Sequence, residues 1–92
     1  MSAAVSKTVE IANQRGLHAR ASAKVVKLAA AFDAQVSVSK DGSTVDARSI
    51  MGLMMLAAGL GCCIEIAATG PQAQEALDAL SQLVADRFDE ER

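Results

Sequence analysis

Residues 34–49 read AQVSVSKDGSTVDARS. Val36 and Val38 alternate with small polar residues, the period-two pattern of a half-buried strand. The Asp41-Gly42 pair is a favoured centre for a two-residue hairpin turn, because both residues tolerate positive φ. Thr44–Arg48 (TVDAR) then returns beside the first run. Two antiparallel strands follow, and whatever flanks them must extend or cover a sheet.

Upstream, Ala21, Val25, Leu28, Ala29 and Phe32 recur at helical spacing between Ala19 and Phe32, while Lys24 and Lys27 face elsewhere. That is an amphipathic helix packed on a sheet. Before it, Val5–Ile11 (VSKTVEI) alternates as a strand broken only by Lys7, and ANQRG is a loop. Downstream, Ser49 stands before IMGLMML as an N-cap, and Gly52 limits that helix to a turn or two. CCIEIAA, residues 62–68, is a fourth strand. The segment 69–88 opens on turn residues and continues as a helix with the stripe Ala73, Ala76, Leu77, Leu80, Leu83, Val84 and Phe88. The order is therefore strand, helix, strand, strand, short helix, strand, long helix. Helices apolar on one stripe and strands that alternate imply two layers, an α+β open-faced sandwich with the outer face of its sheet wet. The charged residues 89–92 are expected to fray as a tail.

Ninety-two residues are expected to make one domain, in which folding removes only about 60 % of the unfolded chain's surface from water. With two aromatic residues, Phe32 and Phe88, the core must be tiled from aliphatic side chains. Nine basic and eleven acidic residues give a net charge of −2 and no broad electrostatic footprint for nucleic acid. Residues 50–68 approach the length of a membrane span but are interrupted by Glu65 and three glycines, so no membrane insertion is expected. The start, MSAAVSKTVE, lacks the charged and apolar regions of a secretory signal, which points to the cytoplasm. Cys62 and Cys63 are strand neighbours whose side chains diverge. This argues against a bridge between them and against a metal site shared with His18. The chain shows no GxGxxG, no Walker loop and no catalytic triad, and no cofactor is expected. Monomer is the default for a protein of this size.

His18 is the only histidine, in the stretch NQRGLHARASAKVVK, residues 13–27. With the helix starting at about Ala19, the imidazole falls at its N-cap, beside unpaired amide hydrogens and the positive end of the helix dipole. The neutral ring is a nucleophile there. An oxyanion attached to it would meet backbone donors, and Arg20 in the first turn could add a forked, charge-assisted contact. Such a group suits a phosphoryl moiety that arrives and later leaves, against the plainer reading of a surface histidine that only caps a helix.

GLHARASAKVVK resembles the active-site motif of the histidine-containing phosphocarrier proteins (HPr) of the phosphoenolpyruvate-dependent phosphotransferase system. DARSIMGLMMLAAGLGCCIEI, residues 46–66, is similar to that family's regulatory-serine region. The resemblance covers almost the whole chain and implies a βαββαβα fold with a four-stranded antiparallel sheet and helices on one face. It implies that His18 is phosphorylated at Nδ1 by enzyme I and read by enzyme IIA domains, with Arg20 stabilising the phosphate. Such a protein is a carrier and not an enzyme. Ser49 falls on the serine modified in some bacteria by HPr kinase/phosphorylase, and Ile50 and Met51 on the apolar partner face. Gly16 and Leu17 match residues that shape the loop before the histidine.

Leu17, Lys24, Lys27 and Arg48 are taken together with Ile50 and Met51 as the partner-binding surface, the basic residues steering acidic partners. Met51 is expected outward with Ile50, and Leu53 and Leu56 inward. Many family members carry proline where this chain has Ala21, so the helix start should be slightly looser. The motifs do not separate a sugar branch from a nitrogen-type regulatory branch. A reading of another class is a non-phosphorylated interaction module.

Overall fold

The computed structural model describes residues 4–92; the first three residues of the N-terminal start read above lie outside them. Its elements run β1 Val5–Glu10, α1 Ala19–Ala29, β2 Gln35–Lys40, β3 Ser43–Asp46, α2 Ile50–Met55, β4 Cys63–Thr69 and α3 Ala73–Ala85, followed by a 3₁₀ turn, Arg87–Asp89. This is the α+β order expected from the periodicities.

The hairpin forms where Asp41-Gly42 places it. Both residues have positive φ, 51° and 85°, and the register pairs Lys40 with Ser43 and Val38 with Val45. The strands lie in the order β1-β4-β2-β3, all antiparallel. β4 is therefore central, and the hairpin's own second strand is an edge. Val36, Val38, Ile64, Ile66 and Ala68 turn inward and are buried, while Glu65, Cys63 and Gln35 point to the wet face. All three helices share one side: α3 packs on β1, β4 and β2, α2 on β3, and α1 on both other helices.

Three element ends differ from the sequence reading by two residues or more. α1 stops at Ala29, since the amides of Ala31 and Phe32 bond to Leu28 and Ala29 at i−3, the tightening by which a helix closes its last turn. β3 ends at Asp46, whose carboxylate accepts the Arg48 amide hydrogen at 2.8 Å and turns the chain toward α2. Most consequential, α3 ends at Ala85 although Phe88 was counted in its stripe. Arg87, Phe88 and Asp89 are all left-handed, with φ of 58°, 54° and 62°, and this reversal swings Phe88 back into the core at 0 % exposure.

Asp89 and Glu90, expected in a fraying tail, are thereby placed against the body, with the Glu90 carboxylate bonded to Asn13 and His18. A left-handed conformation costs a residue with a Cβ about 1–2 kcal/mol, so three in succession cost on the order of 3–6 kcal/mol. Burial of Phe88 returns up to about 3 kcal/mol. The charge-assisted bond from Lys24 Nζ to the Phe88 carbonyl, 2.6 Å, adds about 1.5–3 kcal/mol. The two sides are comparable, so the tail stays only while its ring is seated and its polar contacts are made. No helix among the described residues is long and apolar enough to cross a membrane.

Candidate functional site

The site is built where β1 hands the chain to α1. Ile11 is fully buried, and its carbonyl and amide bond to Gly61 and Cys62, fixing the exit from the sheet. Gly16 then takes φ +66°, and a Cβ at this position would lie 2.3 Å from the Ala58 carbonyl oxygen and 2.8 Å from Gly59 Cα. Only glycine fits. The next amide, Leu17, donates to the same Ala58 oxygen at 2.9 Å, so the histidine loop is tied to the segment that follows α2. Replacing Gly16 with alanine is expected to lower stability by about 1–3 kcal/mol and to displace this loop. It should be measured as a lower urea midpoint with an unchanged slope, together with shifted amide signals from Leu17 to Arg20.

His18 is the N-cap of α1, with extended φ/ψ of −72° and 179°. Its carbonyl accepts the Ser22 amide hydrogen at 2.9 Å, and the Ser22 hydroxyl donates back to the Leu17 carbonyl at 3.1 Å. The ring is 15 % exposed. Nδ1 accepts a long hydrogen bond, 3.3 Å, from the Arg20 amide, and Nε2 donates to the Glu90 carboxylate. These two neighbours specify one tautomer, with the proton on Nε2 and the lone pair on Nδ1 directed at the helix start.

Glu90 is held from the other side by Asn13. That amide is completely buried, and its nitrogen donates to the Gly16 carbonyl at 2.9 Å and to Glu90 Oε1 at 3.0 Å. Burial pushes the Glu90 carboxyl up, but the hydrogen bonds from Asn13 and His18 and the nearby positive charge of Arg15 outweigh it and hold the group below its ordinary value. Glu90 is thus an anion at neutral pH. Arg15, Arg20, Lys24 and Arg92 line a polar depression beside it, with Glu90 and Glu91.

The expected residues separate into those that converge on this place and those that do not. His18 and Arg20 converge. Lys24 lines the same depression, and its ammonium donates to the Phe88 carbonyl, so it anchors the tail while keeping its charge at this place. Leu17, expected on the partner surface, is 5 % exposed and belongs to the core. Lys27 is exposed one turn further along α1. Arg48 is turned to the β2–β3 edge, where it pairs with Asp46 at 3.6 Å and approaches Gln35.

Ser49 caps α2, its hydroxyl oxygen accepting the Gly52 amide hydrogen at 3.0 Å. Leu53 and Leu56 point inward, whereas Ile50, Met51, Met54 and Met55 are exposed, and Leu60 joins them. Because α1 and α2 pack on each other, this apolar face and the histidine loop belong to neighbouring parts of the surface. Asn13 and Glu90 were missed by the sequence reading. ANQRG looked like a plain loop and the last four residues like a solvated run, and a pairing across 77 residues leaves no local pattern.

Residues 5–86 match the family model described as the PTS HPr component phosphorylation site. The chain belongs to the HPr family. Among HPr relatives, the phosphocarrier protein HPr of Cupriavidus necator is 52 % identical over 86 residues, covering 94 % of this chain and 97 % of that one. The phosphocarrier protein NPr of Escherichia coli K12 is 44 % identical over 88 residues, covering 95 % and 98 %. In three dimensions, HPr of Bacillus anthracis superposes with a TM-score of 0.86 at 46 % identity, covering 89 % of this chain and 98 % of its own. The corresponding values for HPr-C-His of Thermoanaerobacter tengcongensis are 0.91, 41 %, 96 % and 99 %. The HPr fold and a general phosphocarrier role in the phosphotransferase system follow, and such a role fits a carrier better than a catalyst.

Proposed function

We propose that His18 accepts a phosphoryl group at Nδ1 from phosphorylated enzyme I and passes it to enzyme IIA domains, in the cytoplasm. The observation that carries this reading is a lone histidine at the N-cap of α1 whose Nδ1 has its lone pair free of a proton. In the transfer, the Nδ1 lone pair attacks phosphorus in line, the bond from phosphorus to the donor nitrogen breaks, and its electron pair returns to the donor ring. The α1 amide ends and the Arg20 guanidinium receive the phosphoryl oxygens. Transfer to an acceptor histidine is the same step reversed, so the chain carries the group between catalysts.

Ile50 and Met51, extended by Met54, Met55 and Leu60, form the apolar face that docks with partners, where adaptable thioethers suit a surface meeting several of them. Lys27 adds a steering charge. Both HPr and NPr relatives match along nearly the whole chain. The sugar and nitrogen branches are therefore separated by which enzyme I phosphorylates it faster.

The test is intact mass after incubation with phosphoenolpyruvate and enzyme I. One acid-labile phosphoryl group on the wild type, absent from a His18→Ala variant, supports the carrier reading. No gain with several active enzyme I preparations moves the function to a non-phosphorylated interaction module.

Ser49 is the regulatory position in this reading, because a phosphate on it would stand beside exposed Ile50 and Met51 and oppose docking by charge and desolvation. A Ser49→Asp variant is expected to accept phosphoryl groups about tenfold more slowly from enzyme I, the lower end of electrostatic effects on association. A wild-type rate would remove Ser49 from the regulatory role.

A further inference from the structure

The tail carboxylate is the one charged group bonded to the ring that the phosphoryl transfer would use, and nothing in the transfer as described above employs it. We propose that Glu90 is a positioning residue for that transfer: it holds the proton on Nε2 and serves as counter-ion to the ring once Nδ1 carries phosphorus. This rests on the phosphocarrier reading of His18.

Three features of the fold support it. Glu90 meets Nε2, the nitrogen away from the helix amides, so it leaves Nδ1 unprotonated, with only the long contact from the Arg20 amide on its lone pair among the described residues. Its second oxygen is fixed by Asn13, whose buried nitrogen is itself bonded to Gly16 at the base of the histidine loop. Loop and carboxylate are thus tied to the same amide. Finally, the tail reaches this place only through three consecutive left-handed residues and the buried ring of Phe88, an unfavourable path for a segment with no task at its end. The depressed acidity range of the carboxyl agrees with an anion facing an N–H.

The balance of the step is simple. A neutral ring, protonated on Nε2, donates its Nδ1 electron pair to phosphorus and becomes a cation that retains the Nε2 proton. The Glu90 anion neutralises it without moving that proton. On delivery the N–P bond breaks, its pair returns to Nδ1, and the ring leaves neutral in the same tautomer, ready for another cycle. Without the carboxylate, the ring could also place its proton on Nδ1, which removes the nucleophile, and its cationic form would lack a partner.

The experiment combines two readouts on wild type, Glu90→Gln, Glu90→Ala and the control Glu91→Gln. Long-range ¹H–¹⁵N correlation of the ¹⁵N-labelled imidazole at neutral pH reports the tautomer without any phosphoryl donor. Single-turnover transfer from phosphorylated enzyme I reports the rate. The wild type should show Nε2 protonated and Nδ1 bare, and Glu90→Ala should show averaged shifts. Glu90→Gln, which keeps an acceptor oxygen but no charge, should hold the tautomer and still transfer slowly. Loss of a group that orients an imidazole costs about 10- to 100-fold, and that drop is expected for Glu90→Ala, with Glu91→Gln at the wild-type rate. A tautomer identical in wild type and Glu90→Ala overturns the inference whatever the rates, as does a wild-type transfer rate in Glu90→Ala. Failure of the wild type to accept a phosphoryl group would instead strike the carrier reading, while the tautomer signals still decide whether Glu90 holds the ring.

Discussion

Replacing His18 with alanine is expected to give a folded protein that gains no phosphoryl group from enzyme I at any concentration or time. The loss should be complete because the chain has no second histidine. The structural cost is partial by comparison. The ring accepts a long capping contact from Arg20, weaker than a serine or aspartate cap, whose removal costs about 1 kcal/mol, and loss of the ring also removes the bond from Nε2 to Glu90, about 1.5–3 kcal/mol. Intact mass and the urea midpoint, read on the same sample, separate the two effects. An acid-labile adduct on the His18→Ala protein would show that the phosphoryl group resides elsewhere. A midpoint that collapses would mean that the histidine holds the fold and its absence says nothing of chemistry; a His18→Gln variant, which keeps a polar cap, then decides.

Removing the Phe88 ring is expected to have the largest effect on stability of any single change in the tail. The side chain is fully buried, and truncating such an aromatic to alanine costs about 3–5 kcal/mol. A chain of this length has roughly 5–14 kcal/mol in total at 0.05–0.15 kcal/mol per residue. About a fifth of the margin or more therefore rests on a residue beyond the last helix. The effect should also be local. Without the ring, the Lys24 bond alone falls short of the cost of the left-handed run from Arg87 to Asp89, so Lys24 is released from the Phe88 carbonyl and Glu90 from His18. Thermal or urea unfolding of Phe88→Ala should show the drop, and the imidazole signals of His18 should shift before global unfolding begins. Phe88→Leu, which keeps most of the volume, should lose less than about 1.5 kcal/mol and leave those signals in place. A loss below about 1 kcal/mol in the alanine variant would mean that the tail is anchored by something other than its ring.

Most of the architecture could be read from local signals, because those signals are local physics. Asp41-Gly42 tolerates positive φ at both turn positions and so sets the hairpin. Ser49 offers an oxygen to the Gly52 amide and so starts α2. The stripe from Ala73 to Val84 has one face to bury and so packs on the sheet. The histidine at the head of α1 was legible for the same reason. The remainder of the site was not. Asn13 is an amide in a loop, a residue type that sequence reading assigns to turns, yet it is sealed in the interior by partners at Gly16 and Glu90. Glu90 lies in a run of charges that composition alone describes as solvated. Leu17 was grouped with the partner-binding surface, whereas its amide bonds to Ala58 and its side chain is buried. In each case the deciding contact joins residues far apart in sequence, and periodicity over ten or fifteen residues cannot register it.

The strand order has a consequence for a chain leaving the ribosome. β1 pairs only with β4, and β2 gains its second neighbour only from β4, so until Cys63 has been made the β2–β3 hairpin is the only part of the sheet that can form. Val5, Val9 and Ile11 wait uncovered throughout that interval, and the long closure that ends it comes late in synthesis. His18 waits longer still. Its carboxylate partner is translated 72 residues after it, so the imidazole leaves the ribosome well before its final surroundings exist.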